Sequence, residues 1–286
     1  MGATGMLGGM ITDRLLDQGQ RVRALVRQPG AAQRLEARGV QTVTGDLKDA
    51  ASLERACDGM EIVITTANSA TGVGEDNPRT VDDQGNRNLI DAARAAGVRQ
   101  FVFTSALGAD LHHPVPFLRS KAVAEEHLKQ SGLSYTLLAP NLFMEIWCPN
   151  IVGRLLLSGD PVTLVGGGQR KHSMIAMQDV ASFAVAAVGN ERARNRTLVL
   201  GGPEPVSWHD VIATYERLLG RQVEVRHLPI GQPLPGFPEF ISGLMNALET
   251  YDSAIEMDAV AAEFGVRQVR LEDSIQRQLS ATPTMA

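Results

Sequence analysis

The sequence predicts an α/β fold: a doubly wound parallel sheet followed by a smaller lobe. Three observations carry that reading. Short apolar runs alternate with helical patterns through residue 140, a glycine-rich loop opens directly into a helix at the N-terminus, and the alternation loosens after Pro140. At 286 residues the chain holds one large domain, or one and a half, with a substantial buried core.

The loop Gly2-Ala-Thr-Gly-Met-Leu-Gly8 has G-x-x-G-x-x-G spacing, and residues 7–16 continue it as a helix despite Thr12 and Asp13. Gly19 stops that helix, and residues 21–27 read as a strand ending about 20 residues past the loop. A helix near 31–38, a strand at 41–44, a helix at 50–57 and a strand at 61–65 follow. Next come a long helix at 80–96, a strand at 101–104, a helix at 116–131 and a strand at 135–138. Gly39, Gly59, Gly97 and Gly132 sit where helices stop. Strand ends thus converge on Gly5, Arg27, Asp46, Ala67, Ser105 and Asn141, and open α/β sheets bind ligands outside those ends.

Beyond Pro140, glycines and prolines break the pattern. Residues 160–165 and 172–176 are expected to pair as a hairpin, with helices at 179–188, 208–219, 240–247 and 271–279 and strands at 197–200 and 222–228. The proline-rich stretch 231–238 is read as a loop over the site. The expected division is a nucleotide-binding domain at 1–145, a substrate lobe at 146–279, some of whose strands join the main sheet, and a frayed tail at 280–286.

The glycine loop carries chemistry because a helix start offers unpaired N–H groups and a positive dipole end, while glycine lets a pyrophosphate approach the backbone closely. Such a loop follows a buried strand, yet only Met1 precedes it here. The reading therefore expects that strand upstream, with Met1 in the place of its last residue. Arg27 closes the second expected strand, where an acidic side chain would bind both ribose hydroxyls of NAD; a guanidinium instead offers a fork to the 2′-phosphate of NADP. NADPH is the expected preference, with NAD possible. The alternative for Arg27 is a solvated strand-end charge.

A net charge of −5 gives no general surface for nucleic acid or anionic membrane, and no apolar run is long enough to span a bilayer. Cys57 and Cys148 lack metal-ligand spacing and read as free thiols of a reducing compartment, so a cytoplasmic protein acting on a small molecule is expected.

Taken together, Gly2-Ala-Thr-Gly-Met-Leu-Gly8, Ala24-Leu-Val-Arg27, Gly45-Asp-Leu47, Asn88-Leu-Ile-Asp-Ala-Ala93, Phe101-Val-Phe-Thr-Ser105 and Lys121 resemble the atypical short-chain dehydrogenase/reductase superfamily, in its NmrA-like and isoflavone-reductase-like branch. The likeness implies a Rossmann-like domain and a variable C-terminal lobe. It implies cofactor contacts at Gly2, Thr4, Gly5, Met6, Leu7, Gly8, Arg27, Asp46, Leu47, Ala67, Asn68 and Lys121. Asp46 would hold the adenine amine, although Asp before Leu-Lys-Asp is also turn chemistry.

The superfamily places Tyr-x-x-x-Lys on the helix after the serine strand, and here that spacing reads Phe117-Leu-Arg-Ser-Lys121. Phenylalanine transfers no proton, so Lys121 is left as ribose anchor or as the acid/base in reach, unless it is an ordinary helix lysine. Ser105 can orient a substrate carbonyl or cap a turn. His112 and His113, in the loop between, either replace the missing acid or are solvated. Phe117, Asn141, Phe143, Met144 and Trp147 are expected to form a flat, apolar substrate wall, the last three serving equally well as core; His172 and Trp208 are read as structural. The implied activity is hydride transfer from NAD(P)H to an apolar electrophile such as a quinone or enone. The rival is a non-catalytic redox sensor or assembly subunit that binds the cofactor and leaves it unconsumed.

Overall fold

A computed structural model describes residues 1–69 and 74–281, and it falls into two compact units. The first comprises Met1–Pro140 and Val180–Val199, and the second Asn141–Asp179 and Leu200–Ala286.

In the first unit, helices and parallel strands alternate: α1 (Met6–Asp17), β1 (Arg23–Val26), α2 (Pro29–Glu36), β2 (Gln41–Thr44), α3 (Ala50–Cys57), β3 (Ile62–Thr65), α4 (Asn86–Ala95), β4 (Gln100–Thr104), α5 (Pro116–Gln130) and β5 (Ser134–Pro140). The pair β1-β2 forms one sheet, with Val26 opposite Thr44. The other has the order β3-β4-β5-β7, where β7 is Arg196–Leu200. Met1 extends the ladder beside β3: its amine donates to Ile64 O at 2.8 Å, and Thr66 N–H donates to Met1 O at 3.2 Å.

β4 is central in its sheet and apolar on both faces, as a parallel strand covered twice must be, with Phe101, Val102 and Phe103 wholly buried. Around them pack Leu53, Ile90, Leu128 and Leu137. Gln100 opens β4 as a buried polar residue with both ends satisfied: its amide donates to Ala187 O at 2.8 Å and its carbonyl accepts Gly189 N–H at 2.8 Å. This fastens β4 to the turn after α8 (Met177–Ala186).

The helix expected at 80–96 is in fact two segments. Pro78–Gly85 winds as a π-helix, capped by Asn77 with Thr80 in a reciprocal box, before α4 begins. Asp82 and Gly85 are the buried residues of this wider turn, to which a hydrophobic repeat is blind.

The second unit contains α6 (Met144–Cys148), α7 (Arg154–Ser158), β6 (Val162–Val165), α9 (Trp208–Leu219), β8 (Val225–Leu228), α10 (Glu239–Leu248), α11 (Asp258–Phe264) and α12 (Leu271–Ala281). Its core gathers Met144, Val152, Trp208, Tyr215, Leu248 and Ile275. The expected hairpin between 160–165 and 172–176 does not form. β6 pairs in parallel with β8, and His172 instead bridges Val206 and Ser253. Among the described residues no helix is long and apolar enough to cross a membrane.

Candidate functional site

The first unit carries a continuous crest of loops at the carboxyl ends of its strands, organised by the glycine loop. Gly5 N–H donates to Gly2 O at 3.0 Å, folding the loop into a tight turn ahead of α1. Gly2 sits at φ +86°, and a Cβ there would lie 2.3 Å from Thr66 Oγ1, so the loop presses on the end of β3. A Cβ on Gly8 would lie 2.1 Å from Gly2 O, so the first turn of α1 presses on the loop. No side chain caps α1, and no acidic residue occupies its first turn. Its leading N–H groups and dipole are thereby left for an anion, as a pyrophosphate requires. Of the remaining loop residues, Thr4 and Met6 are on the surface, Met6 being 60% exposed, while Leu7 is buried.

On one side the loop reaches β1, because Ala3 packs on the cluster holding Ala24 and Val26. The next residue, Arg27, points into an ion cluster. Its Nη1 lies 2.5 Å from one oxygen of Asp76, whose other oxygen lies 2.7 Å from Lys48 Nζ. The hydrogen bonds from Lys48 and then Arg27 hold the Asp76 carboxyl below the usual carboxylate range, and the bond to Asp76 raises the Lys48 ammonium above its ordinary value. Asp46 accepts Lys48 N–H at 2.9 Å, so its side chain shapes the turn, and Leu47 is buried in the unit's core.

On the other side, Lys121 joins the ends of β3 and β4. It is 2% exposed, and its Nζ donates to Ala67 O at 3.3 Å and Thr104 O at 3.2 Å while facing Asp82 Oδ1 at 3.1 Å. The two carbonyls accept from two of its three N–H groups, and Asp82 supplies the opposite charge, its Oδ1 lying close enough for an ion pair without a well-formed hydrogen bond. Asp82 is wholly buried, and its second oxygen accepts Ser69 N–H at 3.0 Å and the Ser69 hydroxyl. The rings of Phe103 and Phe117 flank the ammonium at 4.9 and 5.6 Å, adding cation–π attraction in a dry setting. Ser105 donates to Glu125, which lies one turn beyond Lys121 on α5 and also faces Lys129 at 3.5 Å. Asn68 donates to Thr66 O at 3.3 Å. In the loop before α5, His113 Nδ1 accepts Val115 N–H at 3.0 Å, whereas the His112 side chain is exposed.

Of the residues named from sequence, the crest gathers Gly2, Gly5, Gly8, Arg27, Asp46, Ala67, Ser105, Phe117 and Lys121. Asn141, Phe143, Met144 and Trp147 belong to the second unit. There Asn141 donates to Ser253 O and Oγ at 3.2 and 3.0 Å, Met144 is wholly buried in the core, and Trp147 packs on that core. Phe143 precedes α6 and bridges Ile175. Lys48, Asp76, Asp82 and Glu125 escaped sequence reasoning, since a charged residue in a turn or helix gives no local sign of a distant partner.

Residues 2–191 match a family whose description is NAD(P)H-binding. The chain is 33% identical over 236 residues to the photosystem II assembly factor Ycf39 of Cyanophora paradoxa, covering 80% of this chain and 71% of that protein. It is 29% identical over 259 residues to the NAD(P)H azoreductase of Xenophilus azovorans, with coverage of 87% and 84%. In three dimensions it is similar to the NADPH-dependent quinone oxidoreductase QOR2 of Escherichia coli at a TM-score of 0.78 and 24% identity, covering 97% of this chain and 98% of that one, which shows a shared Rossmann-like fold. The chain belongs to the NAD(P)H-binding family.

Proposed function

We propose that this protein is an NADPH-dependent reductase that delivers hydride to a small, apolar electrophile such as a quinone or a conjugated enone. The observation that carries the reading is the Lys121 cluster: a buried ammonium ion-paired with Asp82 and hydrogen-bonded to two carbonyls, with phenylalanine where a proton-transferring tyrosine would stand. The glycine loop and the α1 start would hold the pyrophosphate, Arg27 the 2′-phosphate, and Ala67 and Asn68 would border the nicotinamide-ribose side. Bound there, the dinucleotide supplies the hydride. Lys121 keeps the ends of β3 and β4 together and places a fixed positive charge beside that region. Buried against Asp82 and two carbonyls, it acts through its position and charge, and solvent supplies the proton. Electrophiles that accept hydride first and a solvent proton afterwards suit this arrangement; alcohols, which need a base at the hydroxyl, do not.

Mixing the protein with NADPH and a panel of quinones and enones tests this by NADPH absorbance. Acceptor-dependent consumption supports the reductase. The likeness to an assembly factor favours a second reading, a subunit that binds the cofactor as a sensor or scaffold. Its signature would be tight binding with no consumption across the panel.

A further inference from the structure

Two cations and one carboxylate meet where β1 and β2 end side by side. Val26 is in register with Thr44, and Gly45 N–H donates to Val26 O at 3.0 Å, so Arg27 and the turn through Lys48 leave the sheet together. Asp76 precedes the Asn77 cap of the π-helical segment and spends one carboxylate oxygen on each cation, at 2.5 and 2.7 Å. All three side chains are open to water, Arg27 at 64%, Lys48 at 35% and Asp76 at 32% exposure. The cluster therefore adds little stability to the fold. These three groups together carry one net positive charge, with Asp46 and Glu75 also close enough to act on Lys48, and a phosphate monoester, carrying about −1.5 to −2 and three acceptor oxygens, would satisfy both cations better than one carboxylate does.

We propose that Arg27, Lys48 and Asp76 form an exchange site for the phosphate of a 2′-phosphorylated adenosine: Asp76 bridges the two cations in the free chain, and the phosphate displaces it. This rests on the assignment of Arg27 to the 2′-phosphate made above, and adds Lys48 as a second specificity residue and Asp76 as an internal competitor. NADH has no group to displace Asp76, so the bridge stays closed when NADH binds. Asp76 then sets the affinity for NADPH without touching that for NADH.

The test is calorimetric titration of the full chain with NADPH, NADH, 2′-AMP and 5′-AMP, in the unmodified protein and in Asp76→Asn, Lys48→Met and Arg27→Ala. Removing the competitor in Asp76→Asn is expected to tighten NADPH and 2′-AMP about fivefold, the scale of an exposed ion pair, and to leave NADH and 5′-AMP unchanged. Lys48→Met is expected to weaken NADPH and 2′-AMP about five- to tenfold with NADH again unchanged. If Arg27→Ala weakens NADPH while Asp76→Asn and Lys48→Met move both cofactors alike or neither, the exchange site is wrong and the Arg27 assignment stands. If Arg27→Ala leaves NADPH untouched, both fall.

Discussion

Gly8 and Gly9 are adjacent in the first turns of α1, and replacing each with alanine is expected to give opposite results. Helix propensity alone favours alanine at both positions by about 1 kcal/mol. At Gly9 the new Cβ would meet only Ala3 O, at 3.7 Å, an ordinary contact, so Gly9→Ala is expected to gain about 0.5–1 kcal/mol and to keep NADPH affinity. At Gly8 it would lie 2.1 Å from Gly2 O, 2.6 Å from Gly2 C and 2.9 Å from Thr66 Oγ1. Two of these are backbone atoms that no rotamer change can move, and the first is more than an ångström inside ordinary contact. Overpacking of this kind costs about 1–3 kcal/mol, which outweighs the propensity gain. Relief comes by lifting the loop off the helix start, which removes the close approach that a pyrophosphate needs. Gly8→Ala is therefore expected to lose net stability in urea unfolding and to weaken NADPH at least about tenfold, or about 1.4 kcal/mol. Equal behaviour of the two variants in both assays would refute the argument that the loop is built by close approach.

Breaking the buried ion pair by Asp82→Asn is expected to cost about 3–5 kcal/mol in urea unfolding, since it strands the Lys121 ammonium, while replacing Lys121 and Asp82 together by Met and Leu costs less than either single change; a single-variant cost under about 1 kcal/mol would contradict this. Phe117→Tyr puts a hydroxyl-bearing ring beside Lys121 and is expected to create slow NADP⁺-dependent oxidation of secondary alcohols, none being expected of the unmodified protein; robust alcohol oxidation by the unmodified protein, lost when His112 or His113 is replaced, would move proton transfer into the loop. Asp179 is wholly buried and accepts Val269 N–H at 2.9 Å, and desolvation pushes its carboxyl up to about 6 from 3.8. A raised acid favours folding while protonated, so its contribution is full below about pH 4 and is lost as pH rises through about 6. Asp179→Asn is expected to flatten the stability profile across that window, and an unchanged profile in pH-resolved unfolding would refute the assignment.

The parallel framework was legible because each signal is local. β2 and α3 fall at the predicted residues, and Gly97 and Gly132, both at positive φ, stop α4 and α5 where the sequence places the stops. Gly2, Gly5, Gly8, Arg27 and Ser105 were likewise legible as glycine-loop or strand-end residues, and Lys121 as a residue of the helix after the serine strand. Their partners were not. Asp82 meets Lys121 across 39 residues and Asp76 meets Arg27 across 49, and only the packing of separate elements brings those charges together. The failed hairpin has the same cause: β6 takes as its partner β8, Val162 facing Val225 across several intervening elements, and no single turn joins the two to announce the pairing.

Isotope transfer tests the central claim most directly. The protein is incubated with NADPH carrying deuterium at the transferable position of the nicotinamide and with an enone acceptor in ordinary water, and the reduced product is weighed by mass spectrometry. The account predicts one carbon-bound deuterium per product, delivered from a single face of the nicotinamide, with the second hydrogen coming from solvent. A protein that binds NADPH tightly yet yields no labelled product with any acceptor in the panel would contradict it.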